Sequence, residues 1–336
     1  MNCKNVIRLT ICFIVLTVLY RGVFLRIDGE LFLRSSDNIT ISGRILFDED
    51  IIPLCRMRNI YRIDMSVNQI SDLTPISDLI TLQSLNLRFN QISDLTPLSN
   101  LRNLRSLTLD ANQIDDLTPL TNNARLRSLT LNNNQICDLS PLSQLMNLSH
   151  LDLGFNYISD ITPLQNLSNL EVLVLSGNTV DDFSTIYSLQ NLEIFVLNAA
   201  NMSNLMPLRN VTNLTGLELR ANQIIDLAPL SNLTNLTSLY LSYNIISDLK
   251  PLSNLMDLTR LELSDNLICD LMPLSRLTEL THLNLSDNQI SDLSPLAELP
   301  NLRTLHIAGN QITDWSPVEH VERVIGKHEQ NILEYP

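Results

Sequence analysis

The chain has 336 residues, 44 % of them hydrophobic and only 8 of them glycine, which gives enough apolar material for a continuous core and excludes wholesale disorder. Its formal net charge is −14: residues 1–59 hold 8 basic and 6 acidic side chains, and the remainder holds 14 basic against 30 acidic, or −16. So acidic a body argues against nucleic acid and anionic lipid as partners, because both need clustered Lys and Arg.

In chain order, the first feature is an uncharged apolar run from Leu9 to Tyr20, preceded by Lys4 and Arg8 and closed by Arg21. A run of this length matches the core of an export signal and is too short to span a bilayer alone. With Arg8 and Arg21 snorkelling, Val6 to Leu25 is just long enough to span. No small-x-small cleavage site appears in Val18-Leu19-Tyr20-Arg21-Gly22. Residues 1–30 are therefore expected to be a signal peptide or an N-terminal membrane anchor, and any membrane contact is expected there alone. Residues 31–59 are expected to form an N-terminal cap with half a repeat, since Asp50, Ile51, Pro53, Leu54 and Met57 fall in register with the repeats that start at Ile60.

From Ile60 the sequence repeats every 22 residues, with copies starting at Ile60, Leu82, Leu104, Leu126, Leu148, Leu170, Leu192, Leu214, Leu236, Leu258, Leu280 and Leu302. Twelve copies without insertion or deletion fill residues 60–323, and a tail of 324–336 comes after them, with Val324 where a thirteenth copy would start. The L-x-L core of each copy alternates apolar and polar, which predicts a short strand with one buried face. Every copy runs in the same direction, so the strands stack as one parallel sheet. An Asn three residues past the strand recurs in eleven of twelve copies (Asn68 to Asn310), and its amide can satisfy backbone groups where the ladder ends. An Asp four residues later also recurs in eleven (Asp72 to Asp314), before Leu-x-Pro-Leu, as the cap of a short helical turn. So short a segment favours a 3-10 turn. The expected fold is thus an α/β solenoid: a right-handed superhelix with the parallel sheet on its concave face and 3-10 turns on its convex face.

These residues resemble the 22-residue leucine-rich repeats of the bacterial internalin family. The resemblance spans residues 50–323, and Asp-Leu-x-Pro-Leu is its most specific part. Regulatory leucine-rich subunits of eukaryotic protein phosphatase 1 share the period but generally lack this Pro. The resemblance implies a protein-binding scaffold that grips its partner on the concave sheet. The chain departs from better-known members in showing neither an immunoglobulin-like module after the repeats nor an LPxTG motif, so any attachment to a surface is expected to use the N-terminal segment.

The residues between the leucines point outward on the sheet. Most are Ser, Thr, Asn or charged, but Val172, Val174, Ile194 and Val196 form two apolar pairs on adjacent strands. Phe155, at the preceding strand exit, and Tyr240 with Tyr243, two copies on, are candidates to extend the block. The same copies break the pattern: Thr185 replaces the Pro, Ala200 the ladder Asn and Asn204 the capping Asp. Two explanations stand, a patch for a partner or drift in central copies that tolerate loss.

Signs of catalytic chemistry are absent. His282, His306 and Glu262 lie near one another but off register, His150 and Asp152 lack a nucleophile, and no Gly-rich phosphate loop exists. Cys3, Cys12, Cys55, Cys137 and Cys269 form no CxxC pair and are expected to be free thiols. No cofactor or metal is expected, and no enzymatic activity. The reading is a monomeric interaction scaffold or adhesin, secreted or displayed at the cell surface, that binds a protein partner. The alternative is a cytosolic regulatory subunit that targets or inhibits an enzyme such as a protein phosphatase.

Overall fold

The structure, a computed structural model, describes residues 24–27, 30–33, 36–57 and 59–327. The apolar run Leu9–Tyr20, and with it the signal or anchor reading, lies outside the described residues, as do Cys3, Cys12 and residues 328–336 of the expected tail. The chain divides into two compact units at Leu148/Ser149.

In the first unit, β1 (Phe24–Ile27) and β2 (Glu30–Leu33) form an antiparallel hairpin, paired from Phe24↔Leu33 to Ile27↔Glu30. Then β3 (Asn38–Thr40), β4 (Arg62–Asp64), β5 (Ser84–Asn86), β6 (Ser106–Thr108) and β7 (Ser128–Thr130) pair in parallel, each with the next. Between β3 and β4 lie a one-turn helix, α1 (Asp48–Ile51), and the 3-10 segment Ile52–Arg56. The second unit holds nine parallel strands: β8 (His150–Asp152), β9 (Val172–Val174), β10 (Ile194–Val196), β11 (Gly216–Glu218), β12 (Ser238–Tyr240), β13 (Arg260–Glu262), β14 (His282–Asn284), β15 (Thr304–His306) and β16 (Arg323–Ile325). Each unit is a leucine-rich-repeat solenoid, with a 3-10 turn such as Thr96–Leu98 or Met272–Leu274 in every copy.

The 22-residue period explains this directly. In copy 82–103, Leu82, Leu85, Leu87, Ile92, Leu95, Leu98 and Leu101 are all at most 1 % exposed. Each such burial is worth about 1.5–3 kcal/mol, and no copy could bury its leucines without a neighbour. The strands keep the period because an L-x-L pairs with the next L-x-L, as Leu85 does with Leu107.

The ladder asparagine joins copies. Oδ1 of Asn90 accepts from the Ile70 N–H at 3.0 Å, while its Nδ2 donates to the carbonyls of Met65 and Leu87, both at 3.0 Å. It thereby satisfies backbone groups of two turns that the strand ladder has left behind. Just before it, the eighth residue of the copy takes a left-handed conformation, for example Phe89 at φ 54°, Ala111 at 53° and Tyr243 at 60°. That conformation costs a non-glycine residue about 1–2 kcal/mol, and the asparagine bonds hold it in place.

The expected caps form too. Asp72 accepts from the Thr74 N–H at 2.8 Å, Asp94 from Thr96 and Asp270 from Met272 at the same distance. Asn204, where the aspartate is missing, does the same work at 3.0 Å from Met206.

The ends of the array leave the regular count. Asn38 of β3 opposes Arg62, a spacing longer than one copy, and Thr304 of β15 opposes Arg323, a spacing shorter than one. Val324 therefore opposes Leu305 inside a strand and does not begin a thirteenth copy. At the N-terminal end the extra length holds α1, whose Asp48 reaches the Ser71 and Asp72 N–H groups at 2.7 and 2.9 Å. Asp50, in register as a capping residue, instead accepts from the Phe47 N–H at 2.9 Å.

Candidate partner-binding surface

The candidate surface lies in the second unit and comes from strand register. Val172 opposes Ile194 and Val174 opposes Val196 across β9 and β10. The intervening Leu173 and Phe195 are buried, so all four aliphatic side chains stand on the solvent face. Ile194 is exposed and the three valines are half-buried.

Phe155 is exposed at the exit of β8, with its N–H bonded to the Ser176 carbonyl at 2.7 Å. Its ring lies over Gly177, so closely that a Cβ on that glycine would stand 2.7 Å from Phe155 Cδ1. Phe155 thus covers the strand exit of the copy that carries Val174. Tyr240 stands differently, two strands from Val196 with Glu218 between them. Arg220 pairs with Glu218 at 2.8 Å and stacks over the Tyr240 ring at 4.2 Å, while Asn198 Nδ2 donates to Glu218 at 3.2 Å. This polar network borders the aliphatic block and parts it from Tyr240. Tyr243 is exposed at the exit of β12, away from the block.

Two features near the block carry no outward apolar L-x-L residue and so give no signal in the sequence. Gly216, next to Ile194 in β11, is buried between Ile194 and Ser238, whose side chains lie 3.6 and 3.4 Å from where its Cβ would be. On the strand-entry side, Glu171 and Glu193 are exposed neighbours, linked by a Glu193 N–H to Glu171 carbonyl bond of 2.8 Å.

The broken copies have their own geometry. A cleft of about 190 Å³ is lined by Val180, Asp181, Asp182, Phe183, Asn201, Met202, Ser203, Asn204 and Pro207. The Asp182 carboxyl is held below the usual carboxylate range by the Ser184 N–H and then by its hydroxyl, so it serves as a cap.

His150 Nδ1 is 2.8 Å from Ser149 Oγ, and His282 Nδ1 is 2.9 Å from Thr281 Oγ1. His306 opposes Asn284, two residues along the strand from His282. Among the described residues no group of three His, Cys, Asp or Glu side chains is arranged to hold a metal ion, and no helix is long and apolar enough to cross a membrane. Cys55, Cys137 and Cys269 are free and exposed.

Comparison with known proteins agrees with this geometry. The family described as leucine-rich repeats (2 copies) matches residues 80–122, 124–166, 212–254 and 278–320. The structure is similar to an internalin, InlF, of Listeria monocytogenes, at 32 % identity and TM-score 0.82, over 88 % of this chain and 89 % of that one. It is also similar to internalin C2 of the same organism, at 38 % identity and TM-score 0.53, over 57 % of this chain and 84 % of the other. A leucine-rich-repeat protein of Leptospira interrogans shares the fold at 24 % identity and TM-score 0.70, over 81 % and 80 % of the two chains. No curated protein sequence matches the chain.

Proposed function

We propose that this chain, which belongs to the leucine-rich-repeat family and is internalin-like, holds a protein partner on the sheet face of its second unit and works outside the cytoplasm. One observation carries the first half: the pairing of Val172 with Ile194 and of Val174 with Val196, which puts four aliphatic side chains side by side on a solvent face. The fold asks for nothing apolar there. The same two positions hold Ser84 and Asn86 in β5, and Arg260 and Glu262 in β13. A contiguous apolar patch on a rigid sheet loses little entropy on association and suits an aliphatic or aromatic anchor from a partner. Phe155 extends the patch at the strand exit. The second half rests on Lys4 and Arg8 ahead of the apolar run Leu9–Tyr20.

Two measurements test the reading. Val174→Glu and Val196→Glu use a side chain that Glu218 and Glu262 already carry at the equivalent position, so the fold is expected to survive. The double variant of the full chain is expected to lose its captured protein. An unchanged set of captured proteins from a correctly folded variant overturns the sheet-face site. For location, whole cells expressing the chain with a C-terminal tag are treated with external protease. Removal of the tag is expected, and a protected tag in the soluble cytosolic fraction overturns display outside the cytoplasm in favour of a cytosolic regulator.

A further inference from the structure

The repeat supplies its own control at every position, and it reveals a second surface at the strand-exit edge of the second unit. The tenth residue of a copy is Gln in seven of the twelve, and the twelfth is Ser in six. In three consecutive copies these positions turn apolar: Ile225 at the twelfth, then Ile245 and Leu267 at the tenth. With Tyr243 at the eighth, they are 61 %, 44 %, 45 % and 60 % exposed. Backbone bonds make them contiguous, since the Ile245 N–H donates to the Ile224 carbonyl at 3.0 Å and the Leu267 N–H to the Ile246 carbonyl at 2.9 Å.

The rim of this belt is acidic. Asp226 follows Ile225 directly, Asp265 stands two residues before Leu267, and Asp248 and Asp270 cap the turns beyond, and none of the four is in an ion pair among the described residues. Two aromatic rings elsewhere in the chain are covered by guanidinium groups, Phe89 at the same eighth position by Arg88 at 4.7 Å and Tyr240 on the sheet face by Arg220 at 4.2 Å. Among the described residues no cation lies over the Tyr243 ring. Charge complementarity and an open aromatic face call for a cationic counterpart.

We propose that the belt of Ile225, Tyr243, Ile245 and Leu267 is a second docking surface, for a protein segment that alternates apolar side chains with Lys or Arg. The surface is separate from the sheet-face block, so the fate of one decides nothing about the other. Ile245 and Leu267 dock the apolar side chains, Tyr243 receives a cation on its ring, and the aspartates steer and hold the remaining positive charge.

The test uses the full chain and three labelled synthetic peptides, one alternating Lys with Leu, one Lys with Ser and one Glu with Leu, read by fluorescence anisotropy. The Lys/Leu peptide is expected to bind and to weaken with added salt. Ile245→Gln with Leu267→Gln restores the residue that seven other copies carry, so the fold is preserved. That variant is expected to bind the Lys/Leu peptide about tenfold or more weakly, the scale of losing two apolar contacts. Equal binding of the Lys/Ser peptide, equal binding of the Glu/Leu peptide, or a double variant that binds like the parent each overturns the proposal. So does concentration-dependent self-association of the parent that the double variant abolishes, because the occupant would then be a second copy of the chain.

Discussion

Ala200 stands where the repeat places an asparagine, and Asn222 of the next copy reaches back to accept from the Ala200 N–H at 3.1 Å. The same oxygen also accepts from the Met202 N–H at 3.0 Å. One carboxamide thus serves two turn amides, but it cannot replace the bonds a side chain at 200 would make to the preceding copy. The corresponding Asn178 accepts from Ile158 at 3.0 Å and donates to Leu153 and Leu175 at 2.9 and 3.0 Å. Ala200→Asn is therefore expected to stabilise the second unit by about 1 kcal/mol, the net worth of a satisfied hydrogen bond. Asn134→Ala, which strands the Ile114 N–H in a buried turn and leaves the Leu109 carbonyl with Asn112 as its remaining side-chain donor, is expected to cost about 1–3 kcal/mol. Urea unfolding of both variants checks the pair, and equal midpoints would remove the ladder as a source of stability.

Asn123 offers the opposite case. It occupies the core position that Leu101 and Leu145 hold in neighbouring copies, and it is fully buried. Its Nδ2 donates to the Leu101 carbonyl at 3.0 Å and to Leu98 at 3.4 Å, but its Oδ1 has no partner. A buried acceptor left unpaired costs about 1–3 kcal/mol, and a leucine would add apolar burial. Asn123→Leu is expected to raise the midpoint of thermal unfolding. A lower midpoint would mean that the carbonyls of Leu98 and Leu101 depend on that amide.

The solenoid is legible in the sequence because one physical rule, leucine against leucine, recurs at a constant interval. Where the interval changes, periodicity says nothing, and β3 and β16 give no signal because their spacings to β4 and β15 are longer and shorter than one copy. The hairpin β1–β2 lies before the repeats and has no copy to be compared with. Outward alternation along L-x-L places Val172, Val174, Ile194 and Val196 together correctly as neighbours. It cannot show that Arg220 covers Tyr240, since stacking depends on a rotamer that no spacing encodes. Ile225, Ile245 and Leu267 escape the same alternation because they lie beyond the strand, where the rule for the sheet face no longer applies.

The capping aspartates make stability depend on pH in a definite direction. Asp94 and Asp160 are held below the usual carboxylate value chiefly by the hydroxyls of Thr96 and Thr162, then by the backbone N–H of the same residues. In Asp292 and Asp314 the backbone N–H groups of Ser294 and Ser316 lead. A carboxyl with a lowered folded value contributes stability above its unfolded value, near 3.9, and loses it as pH falls through the folded value. Urea midpoints are therefore expected to hold from neutrality to about pH 4.5 and to fall below about pH 4. Asp94→Asn keeps an acceptor, as Asn204 does for Met206, without a titrating group. It is expected to shrink the acid loss, and an unchanged acid limb would take the caps out of the explanation.

Gly177 and Gly43 share a backbone conformation, φ +69° in both, but not a neighbourhood. A Cβ at Gly43 meets nothing within 4 Å, whereas one at Gly177 would press on Phe155 at 2.7 Å from Cδ1 and 2.9 Å from Cε1. Ala111 and Ala221 already occupy the eighth position of other copies at φ 53°, so alanine is tolerated by the turn itself. Gly43→Ala is thus expected to cost at most about 1 kcal/mol, the left-handed penalty partly offset by a less flexible unfolded chain. Gly177→Ala carries that cost and must also lift the Phe155 ring off its seat. Gly177→Ala is therefore expected to unfold at lower urea than Gly43→Ala. Adding Phe155→Ala should bring Gly177→Ala back to the cost seen at Gly43, because the obstacle is then gone. If the two glycine variants unfold together, Phe155 does not rest on Gly177 in solution, and its place beside Val174 in the proposed partner surface goes with it.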